Sequence, residues 1–162
     1  MVILEQRNES TIITKESFQA VGLKWEGTFA EAGAGGIRAV HTEIKRRLQE
    51  IRDVLYPDIL LGLSYHINEG GFTHYSVMEV ESAEHIPDGM VSITVPTLTY
   101  AKCEHKKDQN IDLSYKNMYA WIASQGYQLH KGEVTHYEEY PIHQDPYVKD
   151  PEFIIMIPIE NK

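Results

Sequence analysis

The chain has 162 residues, 42% hydrophobic and 24% charged, a composition that suits one domain with an ordinary core. Twenty-four acidic against 15 basic residues leave a net charge of −9, which repels phosphate backbones and argues against a nucleic-acid partner. No run approaches the roughly 20 apolar residues of a membrane span, the N-terminal stretch turns polar too early for a signal peptide, and the single cysteine, Cys103, excludes an internal disulfide and a Cys-based zinc cluster.

Residues 1–16 are polar and read as an edge strand or a disordered tail. Phe18 to Trp25 reads as a strand, with Gly22 at a bulge. The Gly- and Ala-rich stretch 27–36 reads as a flexible loop over a cleft; it precedes a helix but lacks the lysine and spacing of a phosphate loop. Ile37, Val40, Ile44, Leu48, Ile51 and Leu55 recur at steps of three and four, which predicts a helix over 37–55, ended by Pro57. Ile59 to Ile67 and Phe72 to Glu81 read as an antiparallel hairpin around Asn68-Glu69-Gly70-Gly71. Ser82 to Gly89 reads as a connection. A long strand is expected over 90–104, broken at Pro96, then a helix over 112–124 stopped by Gly126. Strands at 133–140 and 153–159 close the chain.

The order strand, helix, strand, strand therefore occurs twice, over about 12–82 and 90–160 of a single domain spanning 1–162. Two helices cannot cover both faces of such a sheet. The expectation is an α+β fold: duplicated β-α-β-β units in one antiparallel sheet, both helices on one side and a concave ligand-binding face on the other.

The stretch Val134 to Tyr140 carries the most chemistry. Period-two geometry puts Val134, His136, Glu138 and Tyr140 on one face, and Thr135, Tyr137 and Glu139 on the other. Either both acids are solvated on an edge strand, or one turns into an apolar cleft. A carboxylate buried that way has a raised pKa and is relieved by an organic cation, or by a ligand hydroxyl or amine. Flanking tyrosines add cation–π attraction. Pockets favour aromatic walls, which makes Tyr75 and Trp121 candidate ligand contacts, while most other aromatics read as core. His66 and His74 come close across the hairpin, but no third ligand is evident, so no metal site and no cofactor is expected. Cys103 reads as a small buried hydrophobe.

An ordered set of residues resembles a known family. Val21-Gly22, Phe72, Tyr75 and Glu79, then Pro87, Gly89 and Met90, then Tyr100-Ala101 and His105, then Trp121 and Gly126-Tyr127, then Glu138 with Tyr140, and finally Ile157-Pro158-Ile159 are similar to the GyrI-like small-molecule-binding domain. That family is also known as the effector-binding domain of multidrug-sensing bacterial transcription regulators. The resemblance covers residues 12–160. It implies a duplicated fold with a pocket between the halves, Glu138 as the pocket glutamate, Tyr140 beside it and Phe153 as an aromatic wall. The family's usual glycine after the strand-end histidine is replaced by Lys106. Only about 17 residues precede the first expected strand, too few for a DNA-binding helix-turn-helix, so the chain is expected to be a standalone member; with nothing arguing for export, a cytoplasmic home is expected.

The expected function is binding of a small organic molecule, hydrophobic and either cationic or neutral, by a sensor or sequestering protein linked to transcription regulation. The alternative implied by the resemblance is a hydrolase of strained or toxic small molecules, with Glu138 as general base and Tyr140 as acid or orienting group. A protein partner, as in topoisomerase inhibition, is a third reading within the family.

Overall fold

The structure is a computed structural model describing residues 6–162; the first five residues of the expected tail lie outside the described residues. Among the described residues nine strands form one sheet: β1 Ser10–Lys15, β2 Phe18–Gly27, β3 Ile59–Asn68, β4 Gly71–Val80, β5 Val91–Val95, β6 Leu98–His105, β7 Tyr127–Leu129, β8 Val134–Pro141 and β9 Phe153–Asn161. Three α-helices accompany them: α1 Phe29–Gly33, α2 Gly36–Arg46 and α3 Ile111–Ser124. The strand order is β1-β6-β9-β8-β3-β4-β2-β5, with β7 added to β9, and every pairing is antiparallel. The order is symmetric about the β8–β3 seam: β3, β4 and β2 on one side answer β8, β9 and β6 on the other. Each lead-in strand crosses over, β1 to β6 and β5 to β2.

Several elements depart from the sequence expectation for local reasons. The helix expected over 37–55 ends at Arg46. Arg47, at φ −115°, leaves the helical region, one tight turn follows at Leu48–Glu50, and Val54 bridges to Val80. Periodicity carried on to Leu55 because Leu48 and Ile51 pack into the same core without belonging to the helix. The strand over 90–104 breaks at Pro96 as expected, into β5 and β6, because Pro96 supplies no N–H to a ladder. The loop over 27–36 contains α1, whose capping box was legible as Thr28 and Glu31: Glu31 N–H donates to the Thr28 hydroxyl and Thr28 N–H to the Glu31 carboxylate. The three-residue β7 was not anticipated.

Both faces of the sheet are filled, by different means. One face carries Val21, Leu60, Met78 and Val80 under Ile44 of α2, and Ala101, Cys103, Ile155 and Ile157 under Met118 and Ile122 of α3. The helices thus share one side, and Tyr140 touches both clusters. The opposite face packs on itself through Phe18, Leu61, Leu63, Val77, Tyr100, Tyr137 and Met156. In a flat sheet β2 and β8, three strands apart, would lie about 14 Å from each other. Instead Phe18 and Tyr137 meet edge to face with centroids 6.0 Å apart, so the sheet curls around this core. The expected concave binding face opposite the helices is therefore largely filled by apolar side chains, and the cavities that include Glu138 lie on the helix side.

Candidate functional site

Between α2 and α3 the sheet is bare of helix, and its floor there is polar. Glu138 on β8 stands opposite Gly62 on β3. A Cβ on Gly62 would lie 3.1 Å from ring atoms of both His74 and Tyr140, so the glycine makes room for those rings beside the carboxylate. Alternation along β8 brings His136 and Tyr140 to the same face. The Tyr115 hydroxyl of α3 donates to Glu138 Oε2 at 2.5 Å, and the Tyr140 hydroxyl donates to Oε1 at 2.9 Å.

Glu138 belongs to the linings of two cavities. The first, about 260 Å³, is bounded by Ile37 and His41 of α2, Tyr140, Phe153 and the loop 144–151. That loop is tied down by Lys45, whose Nζ donates to the Gln144 carbonyl at 2.9 Å, and by Arg38 over the Tyr147 ring. The second, about 470 Å³, is bounded by Ser64, Ile67, Phe72, Tyr115, Tyr119 and His136. A larger space of about 540 Å³ lies along β1 and β6 and does not include Glu138. The carboxylate is thus deep among protein groups yet reachable from two sides. Its pKa is raised by loss of solvation, which the Tyr115 and Tyr140 hydrogen bonds partly oppose. The same burial, with the carboxylate alongside, pushes the Tyr115 and Tyr140 phenols well above their ordinary value.

The aromatic wall is continuous. Phe153 stacks on Tyr140 at 5.0 Å, and His41 meets the Tyr140 ring edge-on at 5.1 Å. His41 Nε2 lies 3.3 Å from His74 Nε2, both buried. Burial holds His41 down at about 4 and His74 at about 3, so the pair is neutral at pH 7 and shares one N–H. On the other side the Tyr119 hydroxyl pairs with His136 Nε2 at 2.8 Å, and burial holds His136 at about 4. Among the described residues no group of three or more His, Cys, Asp or Glu could hold a metal ion, and exposed His66, at φ 55°, takes no part in the His74 contact.

Of the residues singled out in the sequence, Glu138, Tyr140 and Phe153 come together here. Tyr75 does not. It pairs with Leu63 on β3 and lies edge-on to Tyr65 at 5.1 Å on the self-packed face, because its parity along β4 is opposite to that of His74. Trp121 packs against the α3 core cluster and lines neither cavity; six residues on from Tyr115 places it about 120° round the helix. Glu139 points to the opposite face, where the Tyr137 hydroxyl donates to it at 3.1 Å. Sequence reading passed over Tyr115, Tyr119, His41 and His136 as site residues. The signal for the tyrosines was their i, i+4 spacing on the sheet-facing side of α3.

A family-model match, to the GyrI-like small molecule binding domain, extends over residues 8–160. The chain belongs to this family. As a GyrI-like domain it has relatives among solved structures at low identity, which share the fold. EcmrR in its complex with DNA superposes with a TM-score of 0.69 at 13% identity, covering 96% of this chain and 58% of that one. Its C-terminal domain alone gives 0.71 at 13%, covering 97% and 100%, so the chain spans little more than half of the EcmrR chain seen with DNA. SAV2435 bound to tetraphenylphosphonium gives 0.70 at 15%, covering 94% of both chains. A hydrolase encoded by lin2189 from Listeria innocua gives 0.58 at 10%, covering 94% and 92%. No curated protein matches. No helix among the described residues is long and apolar enough to cross a membrane.

Proposed function

We propose that this GyrI-like domain binds a small organic cation between α2 and α3, with Glu138 as the charge anchor, and acts as a sensor or sequestering protein. The observation that carries this reading is a carboxylate held deep in an aromatic cleft with no cationic side chain paired to it among the described residues: the hydroxyls that donate to it are both phenols. An ionised group in such surroundings is costly unless something compensates it, and a bound cation does so. The rings of Tyr115, Tyr119 and Tyr140 would add cation–π attraction. That SAV2435 is described bound to tetraphenylphosphonium makes the same cation a suitable probe.

The test is calorimetry with tetraphenylphosphonium and its neutral analogue triphenylphosphine oxide. Glu138→Gln keeps the volume and removes the charge, so the cation is expected to lose roughly thirty- to a hundredfold in affinity, from about 2 to 3 kcal/mol of Coulomb attraction at an effective dielectric of about 20 and a separation of roughly 6 to 8 Å. The neutral compound is expected to change little, and Tyr75→Leu, on the other face, to change neither. Equal losses for cation and neutral compound would refute the charge role.

The second reading is hydrolysis, favoured by the raised pKa of Glu138, which suits a general base near neutral pH. Tyr140 would then orient or protonate the substrate. Turnover abolished by Glu138→Gln with substrate affinity retained would select this reading over stoichiometric binding.

A further inference from the structure

The hydrogen-bond directions around Glu138 say more about the ligand than its charge. Each phenol in the cleft has one proton to give. Tyr115 and Tyr140 give theirs to the Glu138 carboxylate. The direction of the Tyr119 bond follows from its neighbours. The Thr135 hydroxyl donates to the Ser64 carbonyl at 3.0 Å, so Thr135 Oγ1 faces His136 Nδ1, 3.1 Å away, as an acceptor. A neutral His136, as its lowered pKa requires, then carries its proton on Nδ1. Its bare Nε2 accepts the Tyr119 proton at 2.8 Å.

All three phenol protons are therefore spent inside the protein, and what the phenols still offer a ligand is oxygen lone pairs. Glu138 likewise only accepts. Three cationic side chains stand on the cavity walls: Arg38 lies over the Tyr147 ring, Lys45 donates to the Gln144 carbonyl and Lys116 is exposed, and none of them pairs with Glu138. The Ser64 hydroxyl, 3.5 Å from His74 Nδ1, is the other hydroxyl lining the second cavity.

We infer that the cleft is selective for cations that carry N–H donors (protonated amines, amidinium or guanidinium groups on an apolar aromatic body) over quaternary cations of the same charge and over neutral acceptors. This rests on the reading of Glu138 as a cation anchor and adds to it. Charge alone would be satisfied by any cation, whereas acceptor oxygens, those of Glu138, Tyr115 and Tyr119 in the second cavity and of Glu138 and Tyr140 in the first, are satisfied by donors. A phenol whose proton already points at a carboxylate is also the better acceptor, since bonds in a chain polarise one another.

The test is calorimetric titration with 1-naphthylmethylammonium, its N,N,N-trimethyl derivative and neutral 1-naphthylmethanol, against the unmodified chain, Tyr119→Phe and Glu138→Gln. The expected result is that the ammonium binds at least tenfold tighter than the trimethyl cation. Tyr119→Phe should narrow that gap about three- to tenfold, chiefly by weakening the ammonium, with little change for the trimethyl cation. If the two cations bind equally and both weaken in Glu138→Gln, the donor selectivity is wrong and the cation anchor stands. If neither cation binds, or Glu138→Gln leaves both unchanged, the anchor and the selectivity fall together. If the trimethyl cation binds tighter, the cleft reads charge and apolar surface, and the inference is overturned.

Discussion

Tyr140→Phe removes one oxygen from the centre of the cleft and nothing else. The ring keeps its stack on Phe153 and its edge contact with His41, so packing is conserved and the measured change reports the hydrogen bond to Glu138. That bond, at 2.9 Å to Oε1, is one of two that oppose the desolvation of the carboxylate. A hydrogen bond to a charged group is worth about 1.5 to 3 kcal/mol, and a neutral one about 0.5 to 1.5 kcal/mol. The direction with pH follows from the raised pKa. At low pH Glu138 is protonated in both folded and unfolded chains and contributes no difference. As pH rises past the unfolded value the unfolded chain ionises first, and stability falls until the folded carboxyl ionises too. Losing the Tyr140 donor raises the folded pKa further and extends that fall to higher pH. Chemical denaturation is therefore expected to show a small loss at pH 4.5 and a larger one at pH 8. A loss of about 1.5 to 3 kcal/mol corresponds to roughly 3 to 12 °C in Tm for a domain of this size. A loss that is the same at both pH values, or larger in acid, would refute the assignment of Glu138 as an ionised carboxylate supported by this phenol.

The buried histidines predict a second pH dependence, of opposite sign. His41 and His74 resist protonation down to about 4 and about 3, so between pH 6.5 and 4 the unfolded chain takes up protons that the folded pair refuses. Stability is expected to fall with acidification by on the order of 1 to 2 kcal/mol per pH unit, and less steeply in a His41→Gln/His74→Gln variant; urea midpoints across that range measure it. Gly62→Val places carbon against the His74 and Tyr140 rings and is expected to cut tetraphenylphosphonium affinity at least tenfold, read by the same calorimetry.

What the sequence determined is the periodic part. The alternation in 59–67 and 72–80, with Asn68-Glu69-Gly70-Gly71 between them, is enough for the hairpin, because a strand's side-chain period is two and the turn chemistry is local. The same period put Glu138, His136 and Tyr140 on one face of β8. The end of α2 at Arg46 was not legible, since Leu48 and Ile51 keep the apolar rhythm while following a different backbone path into the same core.

The tertiary structure alone decided which face of the sheet is open. Parity orders side chains within a strand; the register of β4 and β8 on β3 is what puts Tyr75 and Tyr137 on one side and Glu138 and His74 on the other, and neither says which side is covered. That depends on curl, and curl is set by long-range contacts such as Phe18 on Tyr137, which no local pattern encodes. With that face packed on itself, the cavities that include Glu138 lie between the helices. Tyr115 then becomes a donor to Glu138 across 23 positions of sequence, a partnership fixed by where α3 crosses the sheet.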